Sequence, residues 1–256
     1  LKYLTKSGKC TIIYKFANLR IDRKDRFFME NQNIVIEKQP MKKQNMILWV
    51  KPGTEFWGDI RVRGDVFVDD RCCIHGKIVA DNVYFGSGIT ASNIYAKGYF
   101  FCKNGNFFGN VTAKSWARIG KRNVFKNLST EEDAVIGKCS SFKMLIAKGN
   151  IYAGDAVEAF SLEAEGEINL SGNCYVICVY SDRDVYIGVN STVKEVFADS
   201  FVKLDVNATA ERITTFGNVI MSDTATVYES IGAQNVKKVE FDIPEGKIFT
   251  IEKETK

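Results

Sequence analysis

The sequence predicts an all-β chain folded as a three-sided parallel β-helix, a β-solenoid of about ten rungs of 17 residues. Three observations predict it. Stepping by seventeen from Val66 meets Val83, Phe100, Ala117, Ala134, Ile151, Ile168, Val185, Val202 and Val219, all apolar. The same step from Val68 meets Phe85, Cys102, Ile119, Ile136, Ala153, Leu170, Ile187, Leu204 and Met221, again without a polar residue. In a chain that is 45% hydrophobic, two unbroken apolar columns of ten lie far outside chance. Third, turn residues crowd the position after the second column: Gly86, Gly120, Gly137, Gly154 and Gly188, with Asp69, Ser171, Asp205 and Ser222. Such residues tolerate left-handed backbone or cap a corner with their own side chains.

Residues i and i+2 of a strand face the same way, so the paired columns mark one inward strand per turn. A third series marks another: Ile94, Val111, Leu128, Leu145, Leu162, Val179, Val196 and Ile213, whose companions two residues on are all small. The fourth is single and gives the remaining side: Ile74, Ala91, Phe108, Phe125, Phe142, Ala159, Val176, Val193, Ala210 and Val227. No single turn can bury its inward face; the stack buries it collectively. One irregularity falls early. Ile60 and Val62 precede Ile78 and Ala80 by eighteen, and those precede Ile94 and Ala96 by sixteen, as one local bulge would require.

Three regions follow: a basic N-terminal arm or cap over 1–50, the solenoid over 51–232, and a C-terminal cap or tail over 233–256. The arm loses the regular step but keeps strand-like pieces at Thr11–Phe16, Asn33–Glu37 and Met46–Val50. The tail holds Pro244 and an apolar patch of Ile248, Phe249 and Ile251. An open solenoid end exposes strand edges and core side chains, so each end must be capped or paired.

Charge is uneven. Residues 1–51 hold twelve Lys/Arg against four Asp/Glu, a net of +8 that, against +4 overall, leaves −4 on the rest. Such an arm suits an anionic membrane surface or a protein partner. Its aromatic–basic runs (Tyr14-Lys15-Phe16, Arg26-Phe27-Phe28) match no nucleic-acid motif, and no specific nucleic acid is expected. Seven cysteines without a C-x-x-C pair read as reduced thiols of a cytoplasmic chain. The chain starts at Leu1, which leaves an upstream targeting peptide or anchor open.

Chemistry-bearing motifs are sparse. Gly86-Ser87-Gly88-Ile89-Thr90-Ala91 matches a dinucleotide fingerprint, but that motif needs a following helix, and Asn93–Lys97 continues the inward columns instead. Gly137-Lys138-Cys139 lacks the first glycine of a P-loop, where Glu132 stands. The one histidine, His75, follows inward Ile74 and so points outward, which weakens histidine-based catalysis. Asp69–Asp70, Glu131–Asp133 and the alternating trio Glu163, Glu165 and Glu167 read as solvated acidic patches, with a glycan- or metal-binding face as the rival. No catalytic, cofactor or metal residue is assigned.

The outward stripe between the first two columns is more telling. It runs Phe67, Tyr84, Phe101, Arg118, Val135, Tyr152, Asn169, Tyr186, Lys203 and Ile220, and seven of these ten are aromatic or aliphatic where polar residues are the norm. Phe67, Tyr84 and Phe101 are therefore candidate partner-contact residues. Val62 and Val219 are candidate core positions of the end turns, where a second copy would stack.

The runs Gly64-Asp-Val-Phe-Val-Asp-Asp, Gly76-Lys-Ile-Val-Ala-Asp-Asn-Val and Ala91-Ser-Asn-Ile-Tyr-Ala-Lys-Gly98 resemble the bactofilins, the polymer-forming cytoskeletal proteins of bacteria. Gly109-Asn-Val-Thr-Ala and Gly149-Asn-Ile-Tyr-Ala repeat the pattern. The resemblance implies a triangular right-handed β-helix that polymerises end to end without nucleotide, often held at a membrane by a short N-terminal segment. This solenoid is longer than the usual single bactofilin domain, and its flanks carry strand-like pieces instead of Pro-rich ones. The functional expectation is a non-enzymatic, self-assembling scaffold or filament without cofactors. Its alternatives are a capped solenoid serving as spike or adaptor in a viral or secretion assembly, and a β-helical glycan-binding or glycan-modifying enzyme.

Overall fold

A computed structural model describes the backbone of residues 4–6, 9–12, 18–21, 33–36 and 46–239, and the side chains of 47–239. Every regular element among these residues is a β-strand. The strands stack as a parallel β-solenoid of about 11 turns, with rungs of about 17 residues. The tail patch at Ile248–Ile251 lies outside the described residues.

The predicted columns are hydrogen-bonded neighbours. Ala117–Ile119 pairs in register with Ala134–Ile136, which pairs with Ile151–Ala153, so Ile119, Ile136 and Ala153 stand one above another. The ladders number two, a 13-stranded and a 15-stranded sheet, although each turn has three inward sides. The reason lies in the longer strands. In Phe107–Ala113 the buried residues are Phe108, Val111 and Ala113. A gap of three breaks the alternation of a flat strand, so the chain turns a corner between Phe108 and Val111 without losing its ladder. The paired positions skip Gly109, Lys126 and Lys143 at that corner, turn after turn. Five phenylalanines fill one stretch of the core. Phe100 meets Phe108 edge-on at 5.5 Å, and Phe125 stacks on Phe142 at 5.0 Å.

The predicted bulge is present. Ile74 pairs with Ala91 but Lys77 pairs with Asn93, which inserts one residue at His75–Gly76. A second extra residue, which the columns do not reveal, sits near the other end, where Ala210 pairs with Val227 and Arg212 with Ser230.

The ladders also run past the predicted ends. Met46–Val50 pairs in parallel with Gly64–Val68, and Asn18–Ile21 pairs with Met46–Val50. Asn33–Ile36 continues the other sheet onto Ile60–Val62. Lys9–Ile12 follows it in parallel and Leu4–Lys6 closes it antiparallel. The arm thus extends the same sheets through connections longer than seventeen residues. At the far end, Asn235–Val239 stacks on Asn218–Ser222, beyond residue 232.

At the corner after the second column Asp69 and Asp205 cap as expected, accepting from the Asp70 and Val206 amides, but the glycines there do not take the left-handed backbone. Left-handed φ values fall two residues later, at Arg71, Gly88, Gly105, Arg122, Cys139, Ala156, Asn173, Asn190 and Asn207. The earlier glycines serve close approach instead: a Cβ on Gly120 would lie 2.4 Å from the Lys103 carbonyl oxygen. Beside them runs a buried polar ladder. The Asn123 side chain accepts from the Asn106 amide at 2.9 Å and donates to the Lys103 carbonyl at 2.8 Å. Asn106 does the same for Ile89 and Gly86, while Ser140 and Ser191 repeat it with hydroxyls. These side chains satisfy backbone groups that the corner would otherwise strand in the core.

Asn123→Ala should cost roughly 2–3 kcal/mol in chemical denaturation, since it leaves two buried backbone groups unpaired. Gly105, which has open space around its Cβ position, separates strain from sterics. Gly105→Ala should cost only the left-handed penalty, about 1 kcal/mol. Gly120→Ala should cost more, roughly 2 kcal/mol or above, because it forces two turns apart.

Candidate functional site

The outward stripe forms a column of rings. Phe67 and Tyr84 stack at 4.5 Å with planes 6° apart, and Trp49 adds a tilted ring 6.4 Å from Phe67. Phe101 follows in register below Tyr84 and is half-buried. Register alone brings these rings together, because parallel turns place each side chain over its counterpart. Burial first, then Asp65 and Tyr99, push the Tyr84 phenol up, so the stack is uncharged at neutral pH.

Val62 and Val219 do not occupy end turns. Ile36 stacks beyond Val62 and Val236 beyond Val219, and both valines are buried. A charge at either site would break the core instead of the end. The outermost described turn is Thr226–Gly232 with Asn235–Val239. Val236 takes the first inward column and is 51% exposed; Lys238 takes the second, in register with Met221. Among the described residues no strand pairs with the outer edge of either segment. The two most exposed large apolar side chains, Phe216 at 75% and Tyr228 at 68%, lie on these last turns. One more step of seventeen from Val219 and Met221 would have found Val236 and Lys238. The lysine broke the apolar column and hid them.

The other chemistry-bearing residues are placed as follows. His75 sits in the bulge and points outward, stacked on Trp57 at 3.7 Å. Its Nε2 lies 3.1 Å from Glu55 Oε1 and 3.3 Å from Cys73 Sγ. A thiol relay needs the carboxylate on the other ring nitrogen, so this is not that geometry. Gly86–Gly88 forms a corner leading into the strand Thr90–Ala96, where a dinucleotide site needs a helix. Glu163 accepts from the Ser161 hydroxyl, and no group of three His, Cys, Asp or Glu among the described residues is placed to hold a metal.

A shallow trough of about 700 Å³ lies at the corner of three successive turns, lined by Trp116, Arg118, Glu131, Glu132, Asp133, Val135, Lys148 and Gly149. Lys114 bonds Glu131 across turns and holds its carboxyl below the usual range. Ser115 donates to Glu132 at 2.7 Å, and Asp133 accepts from the Asn150 amide at 2.7 Å. The Tyr99 ring lies 4.7 Å from Trp116, tilted by 30°. Sequence reasoning named the three acidic residues but not the two rings, which stand in a column otherwise rich in Asn and Asp.

No helix of the described residues is long and apolar enough to cross a membrane. Comparisons with protein-family models, curated proteins and solved structures found no match, and so none names the bactofilins.

The cysteines divide by column. Cys102 is fully buried, and burial pushes its thiol up to about 12; Cys72 and Cys174 are also raised, chiefly by burial, while Cys139 is exposed. Iodoacetamide at pH 8 should therefore alkylate Cys139 in the folded chain and reach Cys102 only after denaturation, as peptide mapping will show. The Cys102 shift also has a sign. Folding favours the neutral thiol, so its contribution is whole below pH 9 and is lost between pH 9 and about 12. Cys102→Ala should flatten stability against pH in that window.

Proposed function

We propose that the chain is a non-enzymatic structural protein that assembles end to end with copies of itself, a bactofilin-like cytoplasmic filament or scaffold. The supporting observation is the C-terminal end of the stack. Among the described residues, two strand edges there have no partner above a half-covered inward valine, and the two most exposed large apolar side chains, Phe216 and Tyr228, lie on the last two turns. Open edges of this kind template further pairing. A second copy continuing both ladders would supply hydrogen bonds to the edges and cover Val236. Lys238 tempers that edge: a charge on an inward column must reach solvent or an acidic partner before another turn can close over it. In this reading the aromatic column Trp49–Phe67–Tyr84–Phe101 supplies lateral contacts. The basic arm touches a membrane surface or another protein.

Sedimentation velocity and negative-stain microscopy test the reading. The unmodified chain should form polymers, and Val236→Asp should weaken association about tenfold or more, roughly 1.4 kcal/mol, with melting unchanged. Lys238→Leu should lengthen the polymers. A chain that stays monomeric at high concentration would sink the filament and leave the capped adaptor in its place.

A further inference from the structure

We propose that the corner trough at Trp116 is a saccharide-binding site, taking a short stretch of a polysaccharide chain. The column at this corner changes character at two consecutive turns. At this corner most turns carry Asn or Asp, and three of these accept the amide one turn on: Asn82 from Tyr99, Asp133 from Asn150, Asn150 from Glu167. Between Asn82 and Asp133 two consecutive turns place Tyr99 and Trp116 there instead, and Phe201 is a third ring in the same column. The Tyr99 and Trp116 rings meet each other at 4.7 Å, and Trp116 also lines an open trough.

What surrounds the rings sets the ligand class. The trough of about 700 Å³ is lined by Glu132, Asp133, Arg118, Lys148 and Val135 together with Trp116. Arg118 and Lys148 make no ion pair among the described residues. Donors, acceptors and an aromatic plate thus sit within one shallow concavity, few polar groups around an apolar surface. A pyranose ring has that complement: a C–H face for the indole and vicinal hydroxyls that both donate and accept. A polyphosphate does not fit, because Glu131, Glu132 and Asp133 would repel it. A cationic peptide would face Arg118 and Lys148. The trough is open rather than enclosed, so a chain could enter without an end.

Affinity electrophoresis tests this in native gels holding one soluble polysaccharide each: a β-glucan, glycol chitin, polygalacturonate or a galactan. Each mobility is divided by that in a plain gel, which removes any retardation from self-assembly and keeps failure here separate from failure of the filament. The unmodified chain should be retarded by at least one polymer. Trp116→Ala should weaken that binding tenfold or more, while Trp116→Phe restores part of it. Trp57→Ala, on an exposed ring elsewhere, should leave it unchanged. If Trp116→Ala alters the melting curve, Glu132→Ala, on a surface residue, decides in its stead. No retardation by any of the four polymers overturns the proposal, as does retardation indifferent to Trp116 or equally lost with Trp57.

Discussion

Parallel register is the constraint on which everything else depends. Each residue lies over the residue seventeen positions earlier, about 4.8 Å away, so a choice made at one turn is imposed on its neighbours. The columns from Val66 and Val68 therefore stay apolar over ten turns, and an outward ring invites another ring, as Trp49, Phe67 and Tyr84 show. The constraint also carries charge. Lys138 and Asp155 pair across turns, as do Lys194 and Glu211, each couple seventeen residues apart. Exposed pairs of this kind contribute little singly, about 0–1 kcal/mol, but an unbroken column of like charge would oppose the stack itself.

Corners are where register is hardest to keep, because the chain must turn while its backbone groups still find partners. The molecule solves this with three adjacent columns. One keeps side chains small so that consecutive turns can approach, as at Gly120 and Gly188. The next-but-one takes the left-handed backbone, and its amides bond the carbonyls of the following turn, as Arg122 does to Lys138 at 3.0 Å. The third points Asn, Ser or Cys inward to answer groups left over: even Cys174 points its thiol at the Gly154 carbonyl, 3.3 Å away. Non-glycine residues tolerate the left-handed position because the surrounding ladder holds it.

This division explains what could be read from sequence. The inward columns were legible because burial is indifferent to everything except polarity, and the bulge at His75–Gly76 because it leaves an arithmetic trace of eighteen followed by sixteen. The corner columns were not, since glycine signals both left-handed φ and close approach, and only coordinates separate Gly105 from Gly120. Buried Asn106 and Asn123 look like surface turn residues in a sequence. Three N-terminal strands were legible as pieces, but their place in the stack was not, because Leu19 pairs with Leu48 across a connection of irregular length, which erases the period while preserving the pairing. For the site, the acidic wall of the trough was visible as Glu131–Asp133. Tyr99 and Trp116 were not, because nothing in the sequence shows that Asn82, Asp133 and Asn150 of the same column accept amides one turn on.

The two ends of the stack differ in a way that bears on how copies would join. Among the described residues, at one end the last strand of one sheet is the antiparallel Leu4–Lys6 and that of the other is the parallel Asn18–Ile21. At the other end both outermost strands, Thr226–Gly232 and Asn235–Val239, run parallel to those beneath them. Two C-terminal ends meeting face to face would cross their strands antiparallel and bring Lys237 and Lys238 of one copy against the same residues of the other, which is unfavourable in a ladder. Joining the C-terminal end to the opposite end of the next copy avoids that repulsion and continues at least one ladder in its own direction. In the assembly proposed here, the charge at Lys238 therefore acts as a choice of polarity as well as a brake on growth. It leaves head-to-tail stacking as the arrangement that register and charge both favour.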